Sequence, residues 1–170
     1  MATVLQQDRG LCERIARSRN WRVESIVELA HEPSLGWQDG KLAFLYESGV
    51  KLRWREDGER VIKWAFGEPW LWRGGLLWNR STAYICEGET DAISVIDAGV
   101  EKDGETVVVA IPSATTFKHE WAVLFKDKEV ILALDCDAAG LAATTKIAGL
   151  LRPVVDSLKQ LDWGGLQNAS

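Results

Sequence analysis

The stretch Ala83-Tyr84-Ile85-Cys86-Glu87-Gly88-Glu89-Thr90-Asp91-Ala92 decides the reading of this chain, because a short apolar run ends abruptly in carboxylates and passes into a helix-compatible segment. A second stretch, Leu134-Asp135-Cys136-Asp137-Ala138-Ala139-Gly140, repeats the arrangement after the run Val130-Ile131-Leu132-Ala133-Leu134. Runs of four to six apolar residues with no polar alternation suit strands buried on both faces. The spacing predicts strands at 83–86, 106–111, 130–134 and 153–156, alternating with helices at 90–98, 117–125 and 138–151. This is the rhythm of a parallel sheet with crossover helices.

Upstream the rhythm differs. Residues 3–18 and 22–32 read as helices, the second with Val23, Ile26, Val27 and Ala30 at helical spacing and His31-Glu32-Pro33 as its stop. Residues 42–46, 50–55 and 60–66 read as short strands joined by turns at Glu47-Ser48-Gly49 and Glu56-Asp57-Gly58-Glu59, a small antiparallel meander. A strand or loop through Trp70-Leu71-Trp72 completes this part. The expected fold class is therefore α/β, with about four parallel strands flanked by helices and a small N-terminal α+β lobe. The boundary falls near Asn79-Arg80-Ser81, giving a lobe over 1–80, a second domain over 81–158 and a flexible tail over 159–170.

The 170 residues, 46% hydrophobic and 26% charged, are those of an ordinary globular chain. There is no apolar run of the roughly 18 residues that a membrane span needs, and no basic and apolar leader, so a cytoplasmic protein with no membrane partner is expected. Cys12, Cys86 and Cys136 make no Cys-x-x-Cys pair, which argues against a disulfide framework or a zinc ribbon. The net charge of −5 conceals an asymmetry. Residues 1–80 hold 13 Lys and Arg against 11 Asp and Glu, whereas residues 81–170 hold 7 against 14. Seven of the nine tryptophans also lie in the first part. One lobe is equipped to meet phosphates and the other concentrates carboxylates.

Both acidic clusters follow strands of the expected parallel sheet, and ligands of such sheets bind beyond the carboxyl ends of the strands. Carboxylates gathered there repel one another, which protons or hard cations relieve, so Mg²⁺ or Mn²⁺ is the natural counterion. Asp135 and Asp137 reach one ion if the chain turns out of strict alternation after the strand. Taken singly, each cluster has a plainer reading: the acids of Asp-x-Asp as helix caps and Asp91 as a first-turn carboxylate favoured by the helix dipole. The conjunction of Glu-Gly-x-x-Asp-Ala with Asp-x-Asp-x-Ala-Gly is more specific than either part.

Residues 85–151 resemble the Toprim domain, shared by DnaG-type primases, type IA and type II topoisomerases, OLD-family nucleases and small RNase maturases. Residues 85–92 resemble its first motif and residues 134–140 its second, and Ala110-Ile111-Pro112-Ser113-Ala114-Thr115-Thr116 resembles the loop after the second strand in primases. The likeness extends upstream to phage primases and primase-helicases through Leu45–Trp54 and Pro69–Gly74. The chain departs from them in lacking a zinc ribbon and a Walker A sequence, and only Asp156 and Asp162 stand where a third acidic motif belongs. The resemblance implies Glu87 as the proton-transfer residue, supported by Asp91, and Glu87, Asp135 and Asp137 as metal ligands. It implies Mg²⁺- or Mn²⁺-dependent phosphoryl transfer on DNA, either primase-like nucleotidyl transfer or nicking and cleavage as in nucleases and topoisomerases. The alternative is a non-catalytic DNA-binding module serving a helicase or polymerase in replication.

The cation and aromatic pairs of the first lobe suit single-stranded or nicked DNA, through phosphate contact and base stacking. Arg53, Trp54, Arg55, Trp72 and Arg73 are the candidates there, with Lys118 and Lys146 as additions from the second domain. The plainer reading is that several of these tryptophans fill the core of a small lobe.

Overall fold

Asp8 breaks the first expected helix in two. In the computed structural model, which describes residues 1–113 and 115–161, α1 (Ala2–Gln7) stops at Asp8, and the Asp8 side chain caps α2 (Arg9–Arg19) by accepting the Leu11 N–H at 2.8 Å. Asn20 ends α2 in the left-handed conformation, and α3 (Val23–His31) buries Ile26, Leu29 and Ala30. Four antiparallel strands follow in sequential order: β1 (Leu35–Gln38), β2 (Lys41–Tyr46), β3 (Gly49–Glu56) and β4 (Glu59–Gly67). The meander is as expected from its turns, with β1 added. Leu71 and Trp72 are fully buried rather than forming a strand of their own. The Trp72 ring meets Phe44 edge-on at 6.1 Å, and its Nε1–H donates to the Ser34 carbonyl at 2.9 Å.

The chain divides into two compact units, Met1–Arg73 and Gly74–Ser170, a few residues before the expected boundary. The second unit opens with a 3-10 helix at Gly74–Asn79. Then come β5 (Thr82–Cys86), α4 (Glu89–Asp97), a 3-10 turn at Val100–Asp103, β6 (Thr106–Ala110), a 3-10 helix at His119–Phe125, β7 (Glu129–Ala133), α5 (Ala138–Leu151) and β8 (Ser157–Gln160). The four strands are parallel in the order β6-β5-β7-β8. Every residue of β6 is buried, as its unbroken apolar run predicts.

Two expectations need correcting here. The last strand lies at Ser157–Gln160, not 153–156, because α5 continues to Leu151 and the chain must turn before it can pair with β7. Residues 159 and 160, expected in a flexible tail, pair as part of that strand; the rest of the expected tail, with Asp162, falls on 162–170, outside the described residues. Among the described residues no helix is long and apolar enough to cross a membrane.

Candidate functional site at the carboxyl edge of the parallel sheet

The strand order places β5 between β6 and β7, so the chain leaves β5 toward one side of the sheet and later returns on the other. The carboxyl ends of β5 and β7 are therefore neighbours at the point where the winding reverses, which is where open parallel sheets form their ligand crevice. Cys86 pairs in register with Ala133, so Glu87 and the 134–137 loop emerge side by side. The Glu87 Oε2 accepts the backbone N–H of Asp135 at 3.3 Å. A Cβ on Gly140 would lie 2.1 Å from the Asp135 carbonyl oxygen and 3.0 Å from Glu87 Oε2, so only glycine lets α5 start this close to both acids. Asp91 stands in the first turn of α4, and a Cβ on Gly88 would meet its Oδ2 at 2.9 Å.

Burial is the main reason that the Glu87 carboxyl holds its proton above the ordinary glutamate range. The Asp135 N–H works against that shift, while the charges of Asp135, Asp137 and Asp91 add to it. Three aspartates thus act on the Glu87 carboxyl from the ends of two strands. Burial, followed by Asp91 and Asp135, pushes the Cys86 thiol far up, which makes it an inert strand-end residue; Cys136 is exposed. Asp137 is the member of the Asp-x-Asp pair that caps α5, its Oδ1 accepting the Gly140 N–H at 2.8 Å. The donor set is hard oxygen, as Mg²⁺ and Mn²⁺ prefer. Among the described residues, however, no three acidic, histidine or cysteine side chains converge closely enough to hold an ion as they stand.

In the first unit the structure separates the five candidates. Arg53, Trp54 and Arg55 lie on β3, Arg55 exposed and the other two half-buried. Trp72 and Arg73 require correction. Trp72 has no exposed surface and its N–H is engaged, so it has no face to offer a base. The Arg73 side chain is 3% exposed, and its Nε and Nη2 grip the two oxygens of Glu32 at 2.7 and 2.8 Å, a forked pair inside the unit rather than a phosphate contact. In the second unit Lys118 Nζ lies 5.6 Å from the centroid of the Trp121 ring, and Lys146 is exposed on α5.

A feature that the sequence reading missed lies within the first unit. A cavity of about 750 Å³ is lined by Arg14 and Arg19 of α2, by Arg53, Arg55 and Arg60 of the β3–β4 hairpin, and by Trp37 of β1. The signal was present in α2, where Leu11 and Ile15 mark the inward stripe and Arg14 and Arg19 follow at helical spacing beside it.

Comparison with known proteins agrees with the second unit's geometry. Residues 84–163 match the family profile described as Toprim-like. A chain in the structure of the bacteriophage T7 lagging-strand DNA polymerase interacting with primase domains, bound to an RNA/DNA hybrid and dTTP, superposes with a TM-score of 0.55 at 17% identity, over 87% of this chain and 78% of that one. The primase fragment of the bacteriophage T7 primase-helicase gives a TM-score of 0.51 at 16% identity, over 87% of this chain and 64% of that one. No curated protein matches the sequence. With its acidic loops at the switch point of a β6-β5-β7-β8 parallel sheet, the chain carries a Toprim-like domain over residues 84–163, in a fold similar to that of phage primase domains.

Proposed function

We propose that this protein acts on DNA by divalent-metal-dependent phosphoryl transfer at the carboxyl edge of its parallel sheet. The observation that carries the reading is the contact between the Glu87 carboxylate and the Asp135 backbone across adjacent parallel strands, with Asp91 and Asp137 close enough to act on the same carboxyl. In this reading Glu87, Asp135 and Asp137 hold Mg²⁺ or Mn²⁺, which neutralises phosphate charge and polarises its oxygens when bound. Asp137 has one carboxylate oxygen on the Gly140 N–H, so its other oxygen would be the one left for an ion. Glu87 is the proton-transfer residue. Burial and the surrounding acids hold its proton above the usual range, which suits a group that must take and return a proton at a sugar oxygen. Asp91 supports it from the first turn of α4.

Arg53, Trp54 and Arg55, with Lys118 and Lys146, supply nucleic-acid contacts in this reading. The comparison with phage primase domains supports nucleotidyl transfer as the reaction, with nicking or cleavage as the other outcome of the same acids, and supports a replicative helicase as a partner.

The test incubates pure protein with supercoiled plasmid, single-stranded DNA and labelled nucleotides, with and without Mn²⁺. Extended or cut product that depends on Mn²⁺ and disappears in Glu87→Gln supports the reading. Binding to DNA with no turnover on any of the three substrates overturns it in favour of a non-catalytic module that serves a helicase or polymerase.

A further inference from the structure

We propose that the arginine-lined groove of the first unit, between helix α2 and one face of the antiparallel sheet, is a binding track for a single strand of nucleic acid. This rests on the DNA-acting reading and adds to it a site separate from the acidic residues, with Arg14, Arg19, Arg60 and Trp37 as members.

The track follows from strand pairing. Trp37 pairs with Leu42, Leu42 with Arg53, and Arg55 with Arg60, so these residues share one face of the sheet. Trp54, the next residue along β3, pairs with Val61 and also lines the cavity, with the Lys41 Nζ 4.8 Å from its ring centroid. Trp37 shares the arginines' face of the sheet, and Trp54 borders the same cavity. Opposite them, α2 turns its buried Leu11 and Ile15 toward the cavity and sets exposed Arg14 and Arg19 along its margin.

The chemistry of the lining names the ligand. Five arginines face one carboxylate, that of Asp8, and its Oδ1 is already engaged by the Leu11 N–H. In a chain whose net charge is −5, this is a local reversal of sign that favours an extended anion. Arg55 spends one N–H on the Gly58 carbonyl, at 2.8 Å, of the five that a guanidinium carries. The half-buried Trp37 offers the apolar surface on which an unpaired base stacks, and a base inside a duplex has no free face to give it. A cavity of about 750 Å³ is of the size that takes nucleotides in single file, not a paired rod.

The test measures fluorescence anisotropy of a labelled oligothymidylate of about 16 nucleotides with the full chain in EDTA, so that no metal links the probe to the acidic edge. Arg14→Gln/Arg19→Gln should weaken binding and flatten the slope of log affinity against log salt by about 0.7 per lost contact. Lys102→Gln/Lys126→Gln, which removes the same charge from exposed positions of the second unit, should leave that slope unchanged. Trp37→Leu should weaken binding about tenfold, and the exposed arginines keep the test decisive if that variant folds poorly. A slope unchanged in the double arginine variant overturns the proposal, as does equal competition by duplex of the same length. Displacement by dTTP or inorganic phosphate at the nucleotide concentration of the oligomer would assign the groove to a small anion instead. If the oligomer fails to bind while Mn²⁺-dependent turnover persists, the track is wrong and the acidic-edge reading stands. If both fail, the DNA-acting reading falls with it.

Discussion

Replacing Glu32 by Gln is the sharpest test of the reassignment of Arg73 from nucleic-acid contact to internal strut. The Arg73 guanidinium has almost no exposed surface and is held by both Glu32 oxygens, while the Glu32 side chain keeps 30% of its surface in contact with water. Removing one partner of a buried pair leaves the other charge uncompensated, which costs about 3–5 kcal/mol; the partial hydration of Glu32 places this case near the lower figure, about 3 kcal/mol. With a urea dependence of about 1–3 kcal/mol per molar, the midpoint should fall by roughly 1–3 M. Arg73→Met, which removes both the charge and its need for a partner, should cost less than Glu32→Gln. Urea denaturation followed by circular dichroism reads the difference, and the salt slope of oligonucleotide binding reads the function. A stable Arg73→Met variant with a flattened salt slope would refute the argument, because it would show Arg73 on phosphate after all.

Three further outcomes follow from contacts in the two units. Trp72→Phe should cost about 2 kcal/mol, from the lost hydrogen bond to the Ser34 carbonyl and the space left in the core, and should leave oligonucleotide affinity unchanged; thermal unfolding and anisotropy measure the two. Gly140→Ala must push α5 away from the Asp135 carbonyl, so it should abolish Mn²⁺-dependent turnover even where the protein remains folded by circular dichroism. Asp103 accepts from the Thr106 hydroxyl and from the Thr106 and Glu105 N–H groups, and these hold its carboxyl below the ordinary aspartate range. A depressed carboxyl adds stability above its unfolded value and loses it as the pH falls through the folded one. The melting difference between wild type and Asp103→Asn should therefore shrink between about pH 5 and pH 2.

The parallel half was legible because its strands are buried on both faces, and unbroken runs such as Val107-Val108-Val109-Ala110 admit few other readings. The acids at their ends were legible for the same reason, since strand ends fix where the next residues lie. What escaped depended on pairing across distance. Strand β1 (Leu35–Gln38) is short, carries Gly36 and follows Pro33, so nothing local marks it, and it exists because β2 pairs with it. The break at Asp8 was hidden because Asp is common inside exposed helix turns and its capping bond shows only in three dimensions. Composition could not tell Trp72, buried beside Phe44, from the half-buried Trp37, nor Arg73, paired with Glu32, from Arg53. The groove of five arginines is spread over residues 14 to 60 and becomes one feature only when α2 packs beside the hairpin's open face.

The central claim is that Glu87, Asp135 and Asp137 share a divalent cation. Calorimetric titration of Mn²⁺ into the 170-residue chain reads this, with Asp135→Ala/Asp137→Ala as the comparison. The wild type should give saturable heat and a melting temperature that rises with Mn²⁺, because the ion binds the folded state, and the double variant should show neither effect. Equal heat and equal stabilisation in both proteins would place the metal elsewhere, away from Asp135 and Asp137.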